Sequence, residues 1–444
     1  MTWCLVGSEM CIRDSDSIDP NIFIEHRQQI AARLPPKSVA IVHAADALST
    51  NGDGTVRYVP AADLFWLTGI EQAESILVLA PDATNPAHRE MLFIRKPNAN
   101  LEIWEGHSLT TQEAQTISGM KTILWSENFS STLHPILVEQ DHIFLNTNEH
   151  GRAGFDTETR DLRMARQLMH HYPIHSYQRL APLLRDHRAI KNSTEVELIR
   201  NAVAITKHGL DQVLSTLKPG VKEYELEAEL IGEFTRRRAT MGYEPIVASG
   251  KNACTLHYIE NCSTCQDGDL LLIDVGANHA NYTADVTRVF PVSGRFTPRQ
   301  KELYQAVLRV LQSSIQRTVI GTTLSQWKWD AQHQMAEELH SLGLITKNEY
   351  DADSMENPAC KKFFMHGLGH SLGLGVHDVA PSNGPLEAGW IMTVEPGLYI
   401  PEEGIGIRLE NDVLVTEDGP VDLCQHIPLE PDDVEDWIAS SQSS

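Results

Sequence analysis

The chain has 444 residues, 41% of them hydrophobic, so it is long enough for roughly two or three domains with sizeable cores. Its 60 acidic residues outnumber its 36 basic residues, and the net charge of −24 argues against nucleic-acid binding. The sequence has no run of eighteen apolar residues, so we expect a cytoplasmic protein without a membrane-spanning helix.

Residues 1–15 are expected to be non-native. Their stretch LVGSEMCIRDS looks like a translated sequencing adapter, and it lacks the basic region and apolar core of a signal peptide. Two of the seven cysteines, Cys4 and Cys11, fall in this segment. The other five do not suggest a disulfide framework. Since the CxxC of Cys262 and Cys265 has no second pair, reduced thiols are a simpler account than a structural zinc.

Residues 16–180 are predicted to form an N-terminal α/β domain with a mixed sheet. The apolar runs SVAIVHAA, SILVLAP, EMLFIR and HIFLNTN alternate there with polar helical stretches. The segment YQRLAPLLRDHRAIKN, residues 177–192, is the predicted connector. We predict a catalytic domain over residues 181–437 and a disordered tail over 438–444, because the acidic end of the chain should fray in water.

A long helix is predicted to follow the connector. Asn192 with Glu195 three residues later is typical of a capped helix start. Apolar residues then recur at helical spacing up to Pro219, and we interpret this stripe as core and not as a binding face. The stripe consists of Val196, Ile199, Val203, Leu210, Val213 and Leu214.

The sequence DVGANHANYTAD, residues 274–285, predicts a β-hairpin with an acid at each end. Asn278 and Asn281 favour a turn, and the flanking LLLIDV and VTRVF favour strands. Counting inward from both ends places Asp274 and Asp285 directly opposite each other on one face, roughly 5 Å apart. Two acids at that distance could share metal ions.

The segment HGLGHSLGLGVH contains His366, His370 and His377. It differs from a helical zinc-protease motif, because Gly367 stands where the general-base Glu would be and the other glycines also disfavour a helix. We therefore predict an extended or looped segment that approaches a ligand closely. One histidine is more often structural, but three so close together favour metal binding, hydrogen bonding or proton relay.

Five residues between positions 274 and 410 are the right kinds and number to hold two divalent metal ions. They are Asp274, Asp285, His370, Glu395 and Glu410. Three of the acids end strand-like apolar runs, where carboxylates are rarely buried unless paired or metal-bound. For any single acid, a salt bridge or an ordinary strand end is an equal alternative. The set contains no thiolate and suits Mn²⁺, with Co²⁺ or Zn²⁺ as alternatives.

Six sequence blocks together resemble a known family. In chain order they are LHYIEN, DGDLLLIDVG, ADVTRVFPV, FFMHGLGHSLGLGVHDV, TVEPGLYI and GIGIRLENDVLV. They are similar to the pita-bread metallopeptidases, the family of methionine aminopeptidase, prolidase and aminopeptidase P, over residues 185–436. HGLGHSLGLGVHD and the upstream DLFWLTGIEQAESILVLAP are most similar to the aminopeptidase P branch, because methionine aminopeptidases lack such an N-terminal domain.

The resemblance implies a role for each matching ligand. Asp274 would hold one metal ion and Asp285 and Glu410 would bridge both. His370 and Glu395 would hold the other ion. Ala284 and Gly369 depart slightly from the usual family pattern, but neither change removes a ligand.

Further matching residues would act around the metals. His257, His366 and His377 would surround the substrate, and Arg408 would support the metal-binding carboxylates. Trp104 matches a tryptophan that approaches the active site of a neighbouring subunit, which would require a homo-oligomer, a dimer or a tetramer. On residue type alone, a buried core tryptophan is an equal alternative.

The implied function is release of the N-terminal residue from peptides with proline in the second position. A hydroxide bridging both metals would attack the scissile carbonyl, and Glu395 would carry the proton to the hindered proline nitrogen. The partners would be such peptides, and not nucleic acid or membrane. A prolidase, restricted to dipeptides, is the alternative. A metal-free or non-catalytic pita-bread protein is a further one, which the retention of all five ligands disfavours.

Overall fold

A computed structural model describes residues 18–443 of the chain, except 152, 153, 155, 156 and 383. The predicted non-native segment 1–15 lies outside the described residues. The chain divides into two compact units, one ending at Arg188 and the other beginning at Ala189. The boundary predicted at residue 180 precedes a helix, 181–188, that belongs to the first unit. None of the helices in the described ranges combines the length and the apolar character that a bilayer crossing requires.

The N-terminal unit is an α/β structure. Its helices are α1 Pro20–Arg33, α2 Ala62–Thr68, α3 Ala99–Glu105, α4 Thr111–Ser118, α5 Phe129–Leu137, α6 Arg160–His171 and α7 Ala181–Arg188. Its strands are β1 Ser38–His43, β2 Ile76–Leu79, β3 Glu90–Ile94, β4 Ile123–Trp125, β5 His142–Leu145 and β6 Ser176–Arg179.

These strands form one sheet in the order β4-β3-β2-β1-β5-β6. β1 pairs antiparallel with β2 and parallel with β5, so the sheet is mixed, as predicted. The four predicted apolar runs form β1, β2, β3 and β5. The two strands that the apolar pattern does not reveal, β4 and β6, lie at the sheet edges, where their side chains are partly or largely exposed.

The C-terminal unit contains more helices and several small sheets. Its helices are α8 Ser193–Thr216, α9 Glu223–Arg236, α10 Pro298–Gln316, α11 Leu324–Ser341, α12 Lys347–Asp351 and α13 Pro431–Ser441. Its strands are β7 Thr240–Met241, β8 Ile246–Ser249, β9 Leu270–Val275, β10 Ala277–His279, β11 Tyr282–Thr283, β12 Val286–Pro291, β13 Ile391–Val394, β14 Gly397–Ile400, β15 Ile405–Arg408, β16 Asn411–Thr416 and β17 Gly419–Asp422.

The order of elements in this unit repeats. The packed helix pair α8 and α9 precedes strands β7 to β12, and the packed pair α10 and α11 precedes strands β13 to β17. The first set of strands forms the sheets β11-β10-β7 and β12-β9-β8, and the second forms β13-β16-β17 and β14-β15. Each set supplies some of the predicted metal ligands.

Helix α8 begins as the sequence predicts. The Asn192 side chain accepts the N–H groups of Thr194 and Glu195, and the Glu195 carboxylate accepts the N–H of Asn192 at 3.0 Å. This is a reciprocal capping box. Except for the partly exposed Val196, the predicted apolar stripe is buried. The interpretation of the stripe as core is therefore confirmed.

The C-terminal end differs from its prediction. Residues 431–441 form α13, and Ile438 is only 2% exposed. Trp437 Nε1 donates to Asp211 Oδ1 at 2.7 Å, and Gln442 Nε2 donates to Leu217 O at 2.7 Å, so the helix is fixed to α8 and the residue after it. The prediction of a disordered tail starting at residue 438 is wrong for residues 438–441, because they continue α13 and Ile438 is buried.

Candidate active site

The two acids of the predicted hairpin lie on a continuous antiparallel ladder. Strand β9 pairs with β12 so that Asp274 lies opposite Thr287. Asp285 stands one residue before β12, so it is diagonal to Asp274, and the prediction of a directly opposite pair is wrong. The cause is the turn. Ala280 and Asn281 both have positive φ, 50° and 69°, as in a type I′ turn, which centres the hairpin one residue later than the midpoint of the acids.

A tyrosine hydroxyl joins these two acids despite the offset. Tyr243 Oη lies 2.6 Å from Asp274 Oδ1 and 2.5 Å from Asp285 Oδ1. Because the hydroxyl has one proton, it donates to one carboxylate at a time. Burial, followed by the charges of both carboxylates, raises the pKa of Tyr243 well above its usual value. The tyrosine therefore stays a neutral donor at the point where the two carboxylates converge.

The glycine-rich histidine segment is looped and not helical, one of the two conformations predicted for it. It runs beside β13, because Thr393 N–H donates to His370 O and Glu395 N–H donates to Leu368 O. At Gly369, a Cβ atom would lie 1.9 Å from Thr393 O, so this close approach requires glycine. The pairing brings His370 beside β13, the strand that ends one residue before Glu395.

The structure brings the predicted metal ligands together. Asp285, His370 and Glu410 each offer a ligand atom, and these three atoms lie within 4.8 Å of one another. His370 Nε2 is 3.4 Å from Asp285 Oδ2 and 3.7 Å from Glu395 Oε1. Asp274 is linked to this cluster because Tyr243 Oη lies within hydrogen-bond distance of both Asp274 and Asp285. Three of the five therefore form a tight cluster, with Asp274 and Glu395 at its edge.

Charge crowding at this cluster changes its protonation. Burial, with a smaller contribution from Asp274, raises the pKa of Asp285 against the opposing hydrogen bond to His370. Burial, followed by the charges of neighbouring carboxylates, raises the pKa of Glu410 well above its ordinary value. Burial is also the main cause that raises the pKa of Glu395 to about 7. For His370, burial lowers the pKa, but Asp285 and Glu395 outweigh it and the net change is upward.

The chemistry of this set fits a divalent metal centre. Four carboxylates and one imidazole provide oxygen and nitrogen donors without a thiolate, which suits hard or borderline cations. The like charges that raise the carboxylate pKa values are those that a bound cation would neutralise. Salt bridges or ordinary strand ends do not account for so many acids around a single imidazole.

Arg408 links this set to one of the predicted accessory histidines. Its Nη2 donates to Asp274 Oδ2 at 2.6 Å, and its Nη1 donates to Tyr399 Oη at 3.0 Å. Tyr399 Oη lies 2.8 Å from His366 Nε2, and His366 Nδ1 lies 2.8 Å from Gly367 O. Burial, followed by the charge of Arg408, lowers the pKa of His366 to about 4, so this imidazole is neutral at pH 7.

The other two predicted histidines lie near this group. The His377 ring packs edge-on against His370, with centroids 4.2 Å apart and planes at 78°. His257 is exposed and follows a 3-10 turn, Gly250–Cys254. Its charge is one of the causes that lower the pKa of His366, which places the two imidazoles near each other.

Trp104 lies on α3 in the N-terminal unit. Its side chain is 86% exposed, and the neighbouring Ile103 is also exposed. The alternative prediction, a tryptophan buried in the core, is therefore wrong for the single chain.

Several supporting residues were not predicted from the sequence. Thr287 Oγ1 donates to Glu410 Oε2 at 2.6 Å, and the alternation of VTRVF could have identified it, because it lies two residues after Asp285 on the same face. Buried Asp412 accepts the N–H of Asp285 at 3.1 Å. Tyr243 and Tyr399 reach the site from other segments, and a lone tyrosine in a sequence gives no signal of this.

Comparisons with known proteins agree with this geometry. Residues 197–417 match the sequence profile of metallopeptidase family M24, and residues 23–144 match that of the aminopeptidase P N-terminal domain. The chain is 33% identical over 435 residues to Xaa-Pro aminopeptidase of Escherichia coli (strain K12), covering 95% of this chain and 98% of that protein. It is 31% identical over 387 residues to Xaa-Pro aminopeptidase 3 of Homo sapiens, covering 84% and 75%.

The likeness extends to solved structures. E. coli aminopeptidase P with the inhibitor Pro-Leu has a TM-score of 0.86 to this chain at 31% identity, covering 96% of this chain and 100% of that one. The expected fold, an aminopeptidase P-type N-terminal domain followed by a pita-bread domain, is therefore confirmed. The relatives are metal-dependent hydrolases in name and family. The chain belongs to metallopeptidase family M24 and, within it, to the Xaa-Pro aminopeptidases.

Proposed function

We propose that this enzyme removes the N-terminal residue from peptides that carry proline in the second position, using two divalent metal ions. The observation that carries the proposal is the convergence of Asp285, His370 and Glu410 within 4.8 Å. This cluster occurs in a chain that aligns with an Xaa-Pro aminopeptidase over 95% of its length.

The five carboxylate and imidazole residues would hold the metals. Asp285 and Glu410 would bridge both ions, Asp274 would bind one, and His370 and Glu395 the other. When bound, two divalent ions supply a hydroxide nucleophile at neutral pH and polarise the scissile carbonyl. The oxygen-rich set favours Mn²⁺, with Co²⁺ and Zn²⁺ as alternatives. A zinc-substituted form of the E. coli relative has been solved with product.

The residues around the metals would bind and orient the peptide. His257, His366 and His377 would hold the peptide and stabilise the negative charge that develops on its carbonyl oxygen. Neutral His366 suits a position beside the metals, since it carries no positive charge that would repel them. Arg408, held between Asp274 and Tyr399, would keep Asp274 oriented by a charged hydrogen bond.

The leaving group gives Glu395 its place in the reaction. The nitrogen of an Xaa-Pro bond belongs to a tertiary amide with no N–H, so it must gain a proton to leave as a secondary amine. Glu395 lies 3.6 Å from His366 Nδ1 and 3.7 Å from His370 Nε2. From this position its carboxylate would carry that proton.

One experiment tests the proposed function and separates it from its alternative. Metal-reconstituted enzyme is offered an Xaa-Pro dipeptide, an Xaa-Pro-Yaa peptide and an Xaa-Ala-Yaa control, and release of the first residue is followed by mass spectrometry. We expect release from the longer proline peptide and none from the control. Cleavage of the dipeptide alone would favour a prolidase, and no cleavage of either proline peptide with Mn²⁺, Co²⁺ or Zn²⁺ contradicts the proposal.

Assembly and location complete the proposal. Trp104 is exposed in one chain, together with Leu101 and Ile103 on the same short helix, and a neighbouring subunit would cover such an apolar surface. We therefore propose a homo-oligomer, a dimer or tetramer, in which Trp104 limits access to a neighbour's site. A cytoplasmic location is proposed because the five cysteines among the described residues are free thiols, as is usual in a reducing compartment.

A further inference from the structure

The start of α8 is connected to both segments that carry the candidate metal ligands. Lys191 Nζ lies 3.5 Å from Asp378 Oδ2, and the two side chains are only 1% and 3% exposed. The main chain of Lys191 is also fixed, because its N–H donates to Gly389 O at 2.8 Å. A lysine ammonium and a carboxylate are thus paired out of water beside the histidine segment.

Asp378 closes the loop that begins at the metal-ligand histidine. Its N–H donates to Ser371 O at 2.8 Å, and these two residues directly adjoin His377 and His370. Gly373 within the loop has no room for a side chain, since a Cβ atom would lie 2.1 Å from Asp378 Oδ2. The ion pair therefore fixes the base of the loop that presents both histidines.

A second contact runs from α8 to the acid-bearing hairpin. Tyr282 Oη, in β11, donates to Glu195 Oε1 at 2.8 Å, and both residues are buried. Glu195 Oε2 accepts the N–H of Asn192, one residue after Lys191. The loop and the hairpin also touch each other, because Thr283 N–H donates to Gly373 O at 2.9 Å. One helix start thus connects the hairpin of Asp274 and Asp285 with the histidine segment.

We propose that Lys191 and Glu195 are positioning residues that hold the histidine segment and the acid-bearing hairpin at the separation that the metal pair requires. The proposal rests on the proposed function, because it gives these contacts a purpose in that site. Stability alone does not explain the pair, since a buried ion pair is often no more stabilising than a well-packed apolar pair. Residues that orient metal ligands typically change metal affinity by about 10- to 100-fold when replaced.

A double-mutant cycle separates positioning from stability. Lys191→Met and Asp378→Asn each remove one charge and leave the other buried without this partner, so each alone should lower the Tm. The double variant has neither charge and should recover most of the Tm. We expect its Mn²⁺ affinity to stay about 10-fold weaker than wild type, with a lower kcat at saturating Mn²⁺ and little change in KM. Recovery of the Tm, the Mn²⁺ affinity and kcat together would overturn the proposal.

The hydroxyl contact gives a second test that changes no charge. Tyr282→Phe removes the donor to Glu195. Tyr304→Phe is the matched control, because Tyr304 is also buried and its hydroxyl donates to Leu429 O at 2.8 Å, outside both segments. We expect several-fold weaker Mn²⁺ binding, measured by titration of EDTA-treated protein, for Tyr282→Phe only. Equal effects of the two variants would overturn the proposal. The Mn²⁺ titration measures binding without turnover. Its result therefore remains interpretable even if the peptide assay shows no cleavage.

Discussion

Glu395 allows a quantitative test of charge crowding in the metal-free site. Burial is the main cause that raises its pKa from an ordinary 4.5 to about 7, and nearby Asp285 and Asp274 add to it against the opposing His370 and Arg408. An acid with a higher pKa in the folded protein keeps a proton that the unfolded chain has already lost. Its contribution to stability is therefore complete below about pH 4.5 and is lost as the pH rises through about 7.

The size of the loss follows from the interval between the two pKa values. From 4.5 to about 7, at about 1.4 kcal/mol per pH unit, Glu395 alone removes about 3 kcal/mol from the free energy of unfolding. His366 acts with the opposite sign, because its pKa is lowered to about 4 and the unfolded state binds its proton more strongly. Only the difference between wild type and a Glu395→Gln variant isolates the effect.

The assay is urea unfolding of EDTA-treated protein at intervals from pH 4.5 to 7.5. As the pH rises across this range, the free energy of unfolding of Glu395→Gln should increase by about 3 kcal/mol relative to that of wild type, because an amide has no proton to lose. Glu417→Gln, on an exposed turn between β16 and β17, should follow wild type and serves as control. A difference that stays constant with pH would refute the crowding argument. With saturating Mn²⁺ at pH 7.5, wild type should instead have the larger free energy of unfolding, because Mn²⁺ binding stabilises wild type more than Glu395→Gln.

Further predictions concern the roles assigned to single residues. Glu410→Gln should lower the bound metal below two ions per chain by elemental analysis and reduce hydrolysis by several orders of magnitude, and normal turnover with two ions would defeat the assignment. His366→Ala should reduce kcat by about 10²-fold with metal content unchanged, whereas His370→Ala should lose metal, and the reverse result would exchange their roles. Trp104→Ala should leave the Tm nearly unchanged and alter the relative hydrolysis of dipeptides and longer peptides, and a fully active monomer in sedimentation would remove its gating role.

The fold was predictable wherever a local pattern reflects burial. The four apolar runs of the N-terminal unit form its interior strands, and Asn192 with Glu195 caps α8 as expected. The edge strands β4 and β6 were missed, because a strand at an edge need not be apolar. The error at the C-terminus has the same origin, since an acidic and serine-rich composition hides the buried side chains of Val434, Trp437 and Ile438.

The hairpin shows which features of strand pairing can be predicted from residue spacing alone. Counting inward assumes a turn midway between the two acids, but the positive φ angles belong to Ala280 and Asn281 and not to Asn278. A shift of one residue at the turn moves the opposing residues by two along the strand, which keeps the same side chains on the same face. Asp274 and Asp285 therefore lie on the same face of the hairpin even though the predicted register was wrong.

The candidate metal ligands are easier to recognise in the sequence than the residues that contact them. Carboxylates at the ends of apolar runs are uncommon, and Asp274 and Glu410 became candidate ligands because several such acids occur together with a histidine. Lys191 and Tyr243 look ordinary locally, and only their partners in space make them unusual. Those partners, such as Asp378 for Lys191, lie far away in sequence, and which residues meet is decided by the pairing of whole strands. A single sequence can therefore reveal candidate metal ligands before it reveals the residues that contact them.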